Sequence, residues 1–76
     1  MNNSRRKRIN QCIAELYEAQ NELSLILEGE QNALAKVPED DEYDEMREGM
    51  EEFVSGLEDT LTNLEDAINT LEGAYF

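Results

Sequence analysis

Residues 57–73 read LEDTLTNLEDAINTLEG. Within them, Leu57-Glu58-Asp59, Leu64-Glu65-Asp66 and Leu71-Glu72-Gly73 are near-copies seven residues apart. Seven residues make almost two helical turns, so the leucines line one side of a helix with carboxylates beside them. This is a coiled-coil seam, and it decides the fold class: helices packed along their length. It carries no chemistry of its own.

Extended upstream, the same 3–4 spacing runs through Met46, Met50, Phe53, Leu57, Thr60, Leu64, Ala67, Leu71 and Ala74. A second series occupies the first half of the chain: Ile9, Ile13, Leu16, Gln20, Leu23, Leu27, Glu30, Leu34 and Val37. Each series marks one face of a helix. Between them lies Val37-Pro38-Glu39-Asp40-Asp41-Glu42. A residue before proline is pushed away from helical geometry, proline suits a first helical position, and acids favour a helix N-terminus. The spacing therefore predicts a first helix over about 4–36, a turn over about 37–41 and a second helix over about 42–73. Ser4 is the expected N-cap and Gly73 the expected stop.

Two seams joined by a short turn predict an all-α, antiparallel two-helix hairpin, one domain over residues 1–76. A turn centred near residue 40 sets Ile9 against Leu71, Ile13 against Ala67, Leu16 against Leu64, Leu23 against Leu57 and Leu27 against Phe53. It also sets Gln20 against Thr60, a structural polar layer able to specify register, and Arg8 against Glu72. Both seams are wider than one pair of helices needs. Cys12, Ala19, Ile26 and Ala33 broaden the first; Val54, Leu61, Ile68 and Tyr75 broaden the second. A homodimer forming a four-helix bundle is expected to cover that width, although in this register the two extra stripes fall on opposite flanks.

Composition narrows the function. A 76-residue chain with one cysteine and no histidine has no intramolecular disulfide and none of the usual nitrogen and sulfur zinc sites. Self-association is the expected source of extra stability. The acid run Glu39-Asp40-Asp41-Glu42 lacks the oxygen spacing and the turn-making glycine of a calcium loop. Glu30 has no Glu-x-x-His partner and reads as a tolerated break in the seam. Cys12 has no histidine to activate it and reads as a small buried residue. No phosphate loop or Ser-His-Asp set is present. The expectation is no enzyme, no cofactor and no metal. Gly49 and Gly56 cost helix stability and either permit close approach of another backbone or are simply tolerated.

The net charge of −13 is unevenly placed. Residues 1–37 carry five basic and five acidic side chains, whereas residues 38–76 carry one basic residue, Arg47, and fourteen acids. Such a surface repels nucleic acid and attracts basic proteins. No segment approaches the roughly 20 apolar residues that span a bilayer. Arg5-Arg6-Lys7-Arg8 imitates the start of a signal peptide, but Glu15, Glu18, Asn21 and Glu22 interrupt the stretch that follows. A soluble, cytoplasmic protein that makes no membrane contact is expected. The basic start is expected to lie against the acidic end of the second helix rather than to grip phosphate. The candidate protein-binding residues are Glu48, Glu51, Glu52, Glu58, Asp59, Glu65 and Asp66, on the outer face of the second helix. A rod bearing carboxylates at helical intervals can present charge as duplex phosphates do.

The basic start Arg5-Arg6-Lys7-Arg8-Ile9, the mid-chain Glu30-Gln31-Asn32-Ala33-Leu34, the Val37-Pro38-Glu39 turn and the Leu-Glu run from Leu57 to Glu72 carry a resemblance. The chain resembles the small acidic helical-hairpin proteins of bacteria and their phages, a group of unknown function. The resemblance spans nearly the whole chain and implies a helical hairpin without catalytic or ligand residues. Several small acidic phage proteins inhibit host defence, some by DNA mimicry. The resemblance thus implies a non-enzymatic protein-binding module, a phage-encoded inhibitor of a host defence or nucleic-acid-binding protein, acting through its acidic helical face. Two other readings stay open. One is a structural or assembly coiled coil whose acids serve only solubility. The other is a ROP-like dimer binding nucleic acid through its basic N-terminus.

Overall fold

The computed structural model describes residues 2–75, with only the backbone of Tyr75. Two long helices run antiparallel: α1 over Asn3–Ala35 and α2 over Asp44–Tyr75, with a single 3-10 turn at Asp41–Tyr43 leading into α2. No strand occurs among the described residues. The rod measures 60 × 15 × 13 Å. The all-α hairpin expected from the heptads is the fold found.

The ends follow local chemistry. Asn2 caps α1: its backbone is extended, and its side-chain oxygen accepts the Arg5 N–H at 2.9 Å. Asparagine is among the best residues for this task, and its geometry satisfies one of the four unpaired N–H groups at a helix start. Ser4, the expected cap, lies inside the helix. At the other end, the Lys36 N–H donates to the Ala33 and Leu34 carbonyls and the Val37 N–H to Leu34. Pro38 then prevents continuation. The Tyr43 N–H donates to the Asp40 carbonyl and starts the next helix, with Asp41, Glu42, Asp44 and Glu45 placed where the helix dipole favours anions. Gly73 does not stop α2. A glycine stop uses a positive φ, and no glycine among the described residues has one.

The α1 seam is the one its periodicity predicts. Ile13 is buried, and Ile9, Leu16, Gln20, Leu23, Leu27, Glu30, Leu34 and Val37 are half-buried; every other described residue of α1 is exposed. The α2 seam is rotated from the expected one. Met50, Leu57, Leu64 and Leu71 belong to it, but Val54, Leu61 and Ile68 complete it in place of Phe53, Thr60 and Ala67, which are exposed. Arg47 and Tyr43 continue the same line at half-burial. The leucine column has apolar neighbours on both sides. Turning Val54, Leu61 and Ile68 inward buries three branched aliphatic side chains, whereas the other choice buries one phenylalanine, a threonine and an alanine.

Ala67, Thr60 and Phe53 do not face α1, so the expected pairs Ile13–Ala67, Gln20–Thr60 and Leu27–Phe53 are not formed; with Tyr17 bonded to Glu72 and Gln20 beside Ile68, the helices are also displaced along each other from the expected register. Gln20 and Thr60 do not share a polar layer. Gln20 instead borders a shallow recess with Tyr17, Glu65, Ile68 and Asn69. The Thr60 hydroxyl donates back to the Gly56 carbonyl of its own helix at 2.8 Å, as Thr62 and Thr70 do to Glu58 and Asp66.

Candidate protein-binding face

Advancing about 100° per residue, the side chains of α2 fall into three sectors around the axis. The seam faces α1. On one flank stands the column Asp44, Glu51, Glu58, Glu65 and Glu72, next to Val54, Leu61 and Ile68. Glu48, and then Glu45, Glu52, Asp59 and Asp66, stand further round. Within each column the carboxylates recur at intervals of about 10.5 Å, two turns of helix. Glu48, Glu51, Glu52, Glu58, Asp59, Glu65 and Asp66 are all exposed. The structure thus places every residue of the expected acidic face on the solvent side of α2.

Few cations answer these acids. Arg47 is the only basic residue beyond Lys36. Its guanidinium donates to the Asp44 carboxylate at 2.9 Å and to the Pro38 carbonyl. That is the one ion pair among the described residues. Arg47 therefore ties the first turn of α2 back to the loop, a task its lone basic character did not announce. Arg5, Arg6, Lys7 and Arg8 are exposed and make no ion pair among the described residues, in contrast to the expected pairing with the end of α2. Glu72 accepts a hydrogen bond from the Tyr17 hydroxyl rather than from Arg8. The chain's own carboxylate, on Phe76, lies outside the described residues.

Tyr17 marks which side of the hairpin is acidic. Its hydroxyl reaches across from α1 to Glu72. The bond to Glu72 holds the Tyr17 pKa above its ordinary value; loss of hydration and the negative charges of Glu72 and Glu65 push the same way. Sequence reasoning passed over Tyr17, although its place four residues after Ile13, beside the seam, was a usable signal.

Cys12 is exposed, a correction to its reading as a small buried residue. Its column, with Ala19, Ile26 and Ala33, stands on the outside of the pair. Gly49 and Gly56 open onto space: a Cβ added at either would meet nothing within 4 Å. Among the described residues, no group of three or more acids and cysteines is arranged to hold a metal. No described helix is long and apolar enough to cross a membrane.

The class the fold defines is an acidic antiparallel helical hairpin. The chain matches no protein-family model, no curated protein and no solved structure.

Proposed function

We propose that this hairpin is a non-enzymatic, dimeric protein-binding module whose acidic α2 face docks on a basic, nucleic-acid-binding surface. It would act as a DNA-mimicking inhibitor of the kind phages direct against host defence. The observation that supports it is the segregation of exposed carboxylates on α2: Glu51, Glu58 and Glu65 in one column and Glu45, Glu52, Asp59 and Asp66 in the other make no ion pair among the described residues, with Arg47 already committed to Asp44 and Pro38. Fixed negative charge at regular spacing attracts a basic partner over long range and speeds encounter.

The test reverses Glu51, Glu58 and Glu65 to Lys. These side chains are exposed, so the fold survives. Proteins retained from a host lysate by the native chain at low salt should be basic nucleic-acid binders, should be released at high salt by charge screening, and should be displaced by duplex DNA. The triple variant should not retain them. A control reversing Glu15, Glu18 and Glu22 on α1 should retain them. Loss of binding in the control with normal binding by the α2 variant would overturn the acidic-face reading. Indifference to both sets would leave the acids as solubilising groups on a structural coiled coil.

The ROP-like reading has one observation in its favour: the exposed basic start, which makes no ion pair among the described residues. Four cations in a chain of net charge −13 make it the weaker reading.

A further inference from the structure

The hydrogen bond from Tyr17 to Glu72 fixes the handedness of the whole pair. Tyr17 follows Ile13 by four residues, and Glu72 follows Ile68 by four. They occupy equivalent flanks of the two seams, and antiparallel helices bring equivalent flanks to one side. The other two flanks must then share the opposite side. On α1 that flank is Cys12, Ala19, Ile26 and Ala33; on α2 it is Met46, Phe53, Thr60 and Ala67, with Gly49 and Gly56 next to them. Ile26 is 42% exposed, Phe53 52% and Met46 56%, in a hairpin that buries only four residues, Ile13, Val54, Leu57 and Ile68, among those described. The sequence register had set the excess apolar stripes on opposite flanks. With Val54, Leu61 and Ile68 turned into the seam, the large apolar side chains left exposed on this side of α2, Met46 and Phe53, share a face with Ile26, opposite the column of Glu51, Glu58 and Glu65.

We infer that this face binds a second copy of the chain, the two hairpins lying face to face and antiparallel, with the turn of each at the open end of the other. The inference rests on the dimer reading above and specifies its interface. Three features point to this occupant. The first is area: with extents of 60 × 15 Å, the face offers a footprint of roughly 900 Å² per copy, against about 800 Å² per partner in a standard stable interface. The second is shape. Gly49 and Gly56 border an open hollow floored by Phe53, Leu57 and Thr60 and edged by Glu52, where a helix can approach closely. A two-fold pair gives each copy the same apolar columns to cover.

The third feature is charge, which selects the direction. The turn end carries Glu39, Asp40, Asp41, Glu42, Asp44 and Glu45, while Arg5, Arg6, Lys7 and Arg8 stand exposed at the opposite end of the rod, with no ion pair among the described residues. A parallel pair would stack two acidic turns. An antiparallel pair sets each basic start against the partner's turn, which replaces repulsion with attraction at both ends.

Sedimentation equilibrium at micromolar concentration should give twice the 8.7 kDa chain mass. Ile26→Glu with Phe53→Glu should raise the dimer dissociation constant about a hundredfold or more, because two carboxylates per copy would be buried unpaired. Helical circular dichroism should persist, since both side chains are outside the hairpin seam. Asn32→Glu, exposed on the back of α1, should leave the dimer intact. Orientation is read from a spin label at Glu39→Cys in a Cys12→Ala background. The antiparallel pair puts the labels on the order of 50 Å apart, nearly a full helix length. A parallel pair puts them within about 20 Å, two helix diameters. A monomer mass for the native chain overturns the dimer reading itself. A dimer indifferent to the double variant, or one with labels close together, overturns this interface and leaves dimerisation standing.

Discussion

Ile68→Ala tests the rotated seam most directly. Ile68 is 1% exposed, the most buried large side chain of the hairpin. The expected loss has two parts. Removing about three methylene equivalents at about 0.8 kcal/mol each costs on the order of 2.4 kcal/mol. Incomplete collapse around the vacated space adds to this, giving about 3–4 kcal/mol, within the measured range for such truncations. A domain of this length is stable by roughly 4–11 kcal/mol. One truncation should therefore remove a large share of the stability and move a urea midpoint by more than about 1 M for a typical slope. The assay is urea unfolding followed by circular dichroism, with the native chain at the same protein concentration. The sequence register placed Ala67, not Ile68, against α1. A loss under about 1 kcal/mol, as at an exposed position, would refute the seam derived from the burial pattern.

Tyr17→Phe should lower the thermal midpoint slightly and abolish one late-titrating tyrosine in the tyrosinate absorbance. With the folded pKa raised by the Glu72 bond, the contribution of Tyr17 to stability is fully present below the unfolded value near 10 and fades as pH rises through the folded one. Equal stability of native and Tyr17→Phe chains at neutral pH, with no change in the titration, would remove the Tyr17–Glu72 bond from the account. Arg47→Ala should cost about 1 kcal/mol, through loss of the hydrogen bonds to Asp44 and Pro38, and should speed amide exchange in the turn; unchanged exchange there would show that Arg47 does not hold the loop. Gln20→Leu should raise stability by about 0.5–1 kcal/mol, since an apolar side chain replaces a half-buried amide beside Ile68. A large loss on urea unfolding would instead show that Gln20 makes an essential buried hydrogen bond.

Much of this protein is legible in its residues. The heptads of Leu57, Leu64 and Leu71 require lengthwise helix packing, and Val37-Pro38 permits only one break. The α1 seam could be read residue by residue from Ile9 to Val37, because the positions next to it are mostly polar or small and offer no rival face. The acidic columns were equally plain, since a charged side chain on a two-helix rod has little choice but solvent. The caps were less so. Asn2 and Ser4 are both good N-caps, and only the backbone entering the helix distinguishes them.

What the tertiary structure decided is the rotation of α2. Met50, Leu64 and Leu71 have apolar residues three positions ahead and also four positions ahead, and Leu57 has Thr60 and Leu61 there. Periodicity accepts either column, because both keep a 3–4 spacing. Docking against α1 removes the choice: one column must leave water, and Val54, Leu61 and Ile68 bury more aliphatic surface than Phe53, Thr60 and Ala67 together with their polar hydroxyl. That rotation takes Thr60 away from Gln20, and a displacement of the helices along each other, which periodicity also leaves free, puts Glu72 beside Tyr17. The rotation also leaves Met46, Phe53 and Ile26 exposed on one shared face. Burial is a property of two surfaces in contact, so no pattern on either helix alone could assign it.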